Sequence, residues 1–132
     1  MTVLDTNVIV ALLDGRDSLH GRAVKEITSL NDENICTINV IIAETYSVIA
    51  RRCRERGHDC RKTLRVLREF ESSLDIIWVE DLKERHPQIT DKIIESGGKL
   101  NYNDAVLLSF IRKSALNLLT FDKELLTAKE TV

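Results

Sequence analysis

Four carboxylates stand where chemistry is possible: Asp5 in "VLDTNVIVALL", Glu44 in "NVIIAETYSVI", Asp104 in "LNYNDAVLLSFI" and Asp122 in "LLTFDKEL". Asp5 interrupts an apolar run, with Val3, Leu4, Val8, Ile9 and Val10 around it, and Asp122 follows a second such run. Glu44 has Val40 and Ile41 at i−4 and i−3 and Val48 at i+4, so on a helix it shares the apolar face. Asp104 precedes Leu107, Leu108 and Ile111 at helical spacing, which turns it inward as well. A buried carboxylate is costly unless a cation or hydrogen bonds meet it. Acids that converged would repel one another, and a divalent cation would supply the missing positive charge. Mg²⁺ and Mn²⁺ prefer carboxylate and water ligands, and such ions activate water and stabilise a leaving oxygen in phosphodiester hydrolysis.

Each acid also has an ordinary explanation. Asp5 and Asp122 fit as N-caps of the helices that follow them, and Asp104 as a first-turn acid favoured by the helix dipole. Glu44 fits a buried ion pair with an arginine. Taken one at a time, these readings stay open.

The elements that would position the acids follow from hydrophobic pattern. "TVLD" at 2–5, "NICTI" at 34–38, "LDIIWV" at 74–79 and "NLLTF" at 117–121 are apolar, partly β-branched and too short for helices. Helical periodicity fills 6–13, 18–30, 39–56, 59–72, 81–96, 103–114 and 122–128; in 18–30, Leu19, Ala23, Ile27 and Leu30 make one stripe. Asn39 reads as an N-cap and Gly57 as a stop for the third helix. Pro87 is expected to split 81–96 into a short turn and a helix that Gly97 and Gly98 end. Strands alternating with helices predict a parallel sheet with helices on both faces, the pair 39–72 being an insertion into that scheme. Asp5 and Asp122 then end the first and last strands, the edge of an open parallel sheet at which ligands bind. They meet if those strands are neighbours.

Composition narrows the class. The 132 residues are expected to form a single domain over 1–132, and 43% hydrophobic with 30% charged residues is ordinary for a soluble protein. A net charge of -2 excludes a surface that as a whole attracts polyanions. Cys36, Cys53 and Cys60 are odd in number and form no C-x-x-C pair, which suits reduced thiols in the cytoplasm. No run approaches a membrane span and no leader precedes the first strand, so no membrane partner is expected.

The four acidic stretches, in this order and spacing over residues 3–126, resemble the motifs of PIN-domain ribonucleases, in particular the VapC-type toxin group. The resemblance implies a three-layer α/β/α fold with a central parallel sheet of four to five short strands. It implies an Mg²⁺- or Mn²⁺-dependent endoribonuclease whose catalytic and metal-binding acids are Asp5, Glu44, Asp104 and Asp122. Asn7 and Thr120 match the polar residues that support those acids, although turn and cap chemistry explains Asn7 equally well. The implied partners are an RNA substrate, a small antitoxin and a second copy of the chain, since the toxin of a type II pair is implied. Ile9, Leu12 and Leu13 are candidates for such contacts or for the core. Many relatives carry a further strand after the last helix, whereas this sequence closes on "LTAKETV", in which at most "ETV" could form a stub.

An acidic pocket needs a basic rim to hold RNA. Residues 51–69 contain eight Arg/Lys against three Asp/Glu, and Arg51, Arg52, Arg54 and Arg56 are the candidates for phosphate contacts. A solvated helical face or a partner's acidic residues would explain the run as well. Lys99, Arg112 and Lys113 are further candidates. Tyr46 and Tyr102, beside the acids, could stack on a base or simply pack; Trp78 is expected in the core. His20, His58 and His86 pair with no obvious catalytic neighbour.

Competing functions have less behind them. A phosphatase working through an aspartyl-phosphate would need a second aspartate where Asn7 stands, and a receiver domain would need its acid on a central strand in mid-chain. The non-enzymatic alternative is an inactive PIN-like module that binds RNA or a protein partner.

Overall fold

The computed structural model describes residues 1–30 and 34–130. Thr2–Leu4 forms β1, and every residue of it is buried, as befits a strand covered on both faces of a parallel sheet. Thr6–Leu13 is α1, His20–Ser29 is α2 and Ile35–Ile38 is β2. Asn39–Glu55 and Cys60–Glu71 are α3 and α4, with no strand between them. Asp75–Ile77 is β3, Leu82–Glu95 is α5, Tyr102–Ser114 is α6, Asn117–Leu119 is β4 and Lys123–Glu130 is α7.

All strand pairings are parallel and the order is β3-β2-β1-β4, so the sheet is the middle layer of an α/β/α arrangement. Among the described residues the sheet has four strands. Helix α7 runs through Glu130, and the rest of the suggested "ETV" stub lies outside the described residues. β1 sits between β2 and β4, with Thr2 opposite both Ile35 and Asn117. The ladder closes at its upper end where the Asp5 N–H donates to Leu119 O at 3.0 Å. That adjacency brings the ends of the first and last strands together.

Val3 and Leu4 pack with Val8 and Ile9 of α1, Ile38, Ile41 of α3, Leu107 of α6 and Leu125 of α7, all of them fully buried. Each such side chain contributes roughly 1.5–3 kcal/mol. Ile9 is therefore core, while Leu12 and Leu13 are half-buried. Among the described residues no buried side-chain nitrogen or oxygen lacks a hydrogen-bond partner. Among them too, no helix is long and apolar enough to cross a membrane.

Three local expectations are corrected. Asn39 is the first residue of α3 and not its cap; its Oδ1 accepts the Val79 N–H at 2.9 Å, tying the chain beyond β3 to the start of α3. Pro87 does not divide α5. It lies on the exposed side together with Lys83, the residue whose helical acceptor it leaves unused, while Ile89 is buried on the other side.

Trp78 is not core. The ladder ends at Ile77, Val79 packs against the core, and Trp78 between them turns outward with 70% of its surface exposed. Trp78 is the single tryptophan. Its fluorescence is therefore expected to be quenched by acrylamide almost as readily in the native protein as in urea. A strongly protected native emission would refute that placement.

Candidate active site

Asp5 ends β1 and caps α1: its Oδ1 accepts the Thr6 N–H at 2.8 Å. Its Oδ2 accepts the Thr120 hydroxyl at 2.7 Å. That hydroxyl is itself saturated, because the Asp122 N–H donates to it at 3.1 Å and the Asn7 amide at 3.3 Å. Asn7 Oδ1 accepts the Phe121 N–H at 3.1 Å, so one residue of α1 stitches down the turn that follows β4. Asp122 in turn caps α7, its Oδ1 accepting the N–H groups of Glu124 at 2.9 Å and Leu125 at 3.3 Å.

Asp104 closes a capping box. The Asn101 side chain accepts the Asp104 N–H at 2.8 Å, and Asp104 Oδ2 accepts the Asn101 N–H at 3.1 Å. Helix α6 therefore starts at Tyr102, one residue before the expected start. Glu44 lies on the flank of α3 with Val48 and Arg52, one turn apart each, beside the fully buried row of Ile41 and Thr45. The Asn103 side-chain amide donates to Glu44 Oε2. Sequence reasoning missed Asn101 and Asn103; the signal was the "NYND" string, with an N-cap residue three before an acid.

These elements surround one cavity of about 230 Å³, lined by Asp5, Thr6, Asn7, Val10, Glu44, Val48, Arg52, Asn101, Asp104 and Asp122. All the acids singled out in the sequence face it. The capping roles hold for the aspartates at the same time: Asp104 and Asp122 each engage one oxygen in a cap and keep the other without a partner among the described residues.

Electrostatics shows what the crowding does. Burial pushes the Asp5 carboxyl up to about 6, with Asp104 and Glu44 adding repulsion and the Thr120 and Thr6 hydrogen bonds opposing it. Asp104 is also raised, by burial first and then by Asp122 and Glu44. The cavity offers hard oxygen donors and neither imidazole nor thiol, a set that fits Mg²⁺ or Mn²⁺ and not zinc or copper. Among the described residues no three acidic, imidazole or thiol groups close into a ready cage.

The basic candidates separate. Arg51 and Arg54 are exposed. Arg52 and Arg56 are drawn to the loop between α1 and α2, Arg52 Nη1 meeting Asp14 at 3.0 Å and Asp17 at 2.7 Å, and Arg56 Nη1 meeting Asp14 at 2.9 Å. Lys99 and Arg112 line a separate concavity with Lys92, between α5, α6 and α7, and Lys113 stands 3.8 Å from Asp81. The Tyr46 hydroxyl donates to Glu71 at 2.6 Å, and the Tyr102 hydroxyl lies 3.0 Å from His86 Nδ1.

Solved structures share this fold. The VapC20 toxin of Mycobacterium tuberculosis, described as cleaving the sarcin–ricin loop, is 22% identical with a TM-score of 0.74, over 97% of this chain and 95% of that one. PAE2754 from Pyrobaculum aerophilum is 22% identical with a TM-score of 0.69, over 98% and 79%. VapBC2 from Rickettsia felis, bound to a DNA fragment from its promoter, is 16% identical with a TM-score of 0.67, over 96% and 91%. No curated protein sequence matches. The sequence pattern of the PIN domain matches residues 2–130, and the chain belongs to the PIN domain family.

Proposed function

We propose that this chain is a metal-dependent endoribonuclease that hydrolyses RNA phosphodiester bonds, and that it is the toxin of a type II toxin–antitoxin pair. The observation that supports it most is the meeting of Asp5, Glu44, Asp104 and Asp122, from separate elements, on one oxygen-lined cavity. The neighbours point the same way: one is described as a toxin that cleaves the sarcin–ricin loop, another as VapBC2 bound to a DNA fragment from its promoter. An RNA substrate, a small antitoxin and a homodimer in the cytoplasm belong to this reading.

The four acids are the catalytic and metal-binding candidates. A bound Mg²⁺ or Mn²⁺ would supply Lewis acidity toward the phosphodiester and the positive charge that the acids lack. The chain's own part is positioning. Thr120 and Asn7 hold Asp5, Asn103 orients Glu44, and the caps fix Asp104 and Asp122.

The test uses purified protein stripped of any bound antitoxin and a mixed RNA pool, in Mn²⁺ or Mg²⁺ against excess EDTA. Cleavage is expected with metal, none in EDTA, and none with Asp104→Asn in either. A folded protein that neither cleaves RNA nor binds Mn²⁺ in calorimetry would leave the binding module in its place.

A further inference from the structure

We propose that Arg52 is a preset phosphate-gripping residue on the rim of the acidic cavity, and that Asp14 and Asp17 are the positioning residues that aim it. The proposal rests on the nuclease reading for its substrate, RNA, and assigns how that substrate's backbone is held.

Arg52 is the one cation lining the cavity among the described residues. It follows Glu44 and Val48 on the same flank of α3, eight residues or roughly 12 Å along the axis from Glu44. Long and flexible, an arginine that lines the same cavity as four carboxylates is drawn toward them. Here Nη1 instead turns to Asp17 at 2.7 Å and Asp14 at 3.0 Å. Those aspartates are themselves anchored. Asp14 Oδ1 accepts from Arg16 N–H at 3.0 Å and from Arg56 at 2.9 Å, and Asp17 Oδ1 accepts from Leu19 N–H at 2.8 Å.

Two consequences follow. The acids keep their oxygens free of the guanidinium, so that a metal ion does not compete with it. The Nε–Nη2 edge of Arg52 has no partner among the described residues, and the side chain is 35% exposed. A planar fork with one edge fixed and the other open is suited to a phosphate, which it meets with parallel N–H groups. Its place on the rim, turned away from the acids, suits a phosphate that flanks the one to be cut.

A purely structural brace between the α1–α2 loop and α3 would show the same bonds, so the test needs a readout that a brace does not move. Arg52→Gln and Arg52→Lys are compared with the unaltered chain for kcat and KM at several salt concentrations. Binding of a labelled mixed-sequence single-stranded RNA is measured in parallel by anisotropy, in an Asp104→Asn background that needs no cleavage. Arg52→Gln is expected to raise KM and the RNA dissociation constant about five- to tenfold, with kcat little changed, and to flatten the salt dependence by about 0.7 in log–log slope. Arg52→Lys keeps the slope but loses part of the affinity. Asp17→Asn weakens RNA binding in the same direction, and adds nothing once Arg52 is already glutamine.

An unchanged salt slope with lowered thermal stability would overturn the proposal and leave a brace, as would an Arg52→Lys variant that behaves like Arg52→Gln. RNA binding that depends on Arg52 without any cleavage by the unaltered chain would sustain the inference and count against the nuclease reading alone.

Discussion

Asp5→Asn is expected to lower RNA cleavage by more than about a hundredfold, since even partners one shell removed from a metal typically matter by 10- to 100-fold. The same substitution is expected to make the metal-free protein more stable. Asp5 is 4% exposed, and its carboxyl is displaced to about 6 by burial and by Asp104 and Glu44. An asparagine keeps the shape and the acceptor for Thr6 N–H without the charge, while its amide nitrogen faces the saturated Thr120 hydroxyl and removes that hydroxyl's acceptor, which offsets part of the gain. The gain at neutral pH is roughly 1–3 kcal/mol, at about 1.36 kcal/mol per pKa unit. Cleavage assays together with urea denaturation in EDTA check both halves. A destabilised Asp5→Asn variant would show that the hydrogen bonds to the carboxylate outweigh its repulsion.

The second large effect is a dependence of stability on pH. The folded carboxyl of Asp5 titrates near 6, above the ordinary aspartate value of 3.8, so the folded state binds the proton more tightly than the unfolded chain does. Its contribution is therefore fully present below about pH 4 and is lost as the pH rises through about 6. In EDTA the thermal midpoint is expected to fall between pH 4 and 7 by the equivalent of roughly 2–3 kcal/mol, set against any other groups that titrate there. Asp104, raised in the same direction, adds to the fall. On the proposed function, saturating Mn²⁺ at pH 7 is expected to restore stability by mass action, since an ion that binds the assembled cavity and not the unfolded chain favours the folded state. In Asp5→Asn the slope is expected to flatten. A midpoint that is level across this range in EDTA would mean that burial and the neighbouring acids do not raise the Asp5 carboxyl as its placement requires.

How much of this was legible depends on the range of the interaction. The runs that became β1 and β2 were readable because burial on both faces leaves a short apolar signature, and α3 and α4 were readable as consecutive helices from their periodicity. The caps formed by Asp5 and Asp122 are equally local, each reaching no more than three residues ahead. Trp78 misled because an apolar run says nothing of where its ladder stops; Asn39, from another element, stops it by taking the Val79 N–H. Pro87 misled because the intrinsic penalty of a helical proline was set against the burial of Ile89, and burial prevailed.

By itself, then, the sequence determined which residues are the candidates for the chemistry and which local element carries each. Asp5 follows β1, Asp122 caps α7 just beyond β4 and Asp104 sits in a first helical turn, all through contacts within a few residues, while Glu44, expected on the apolar face of α3, lies on the flank of that face. Only the tertiary structure decided that these positions share a cavity. The order β3-β2-β1-β4 makes the first and last strands neighbours, and the Thr120–Asp5 bond joins positions 115 apart. It also decided that Arg52 turns to Asp14, 38 positions away, and not to the acids beside it. Periodicity and capping are set by neighbours along the chain. Strand order and the choice of ion-pair partner are set by which surfaces remain once the core is buried, and no local pattern records that.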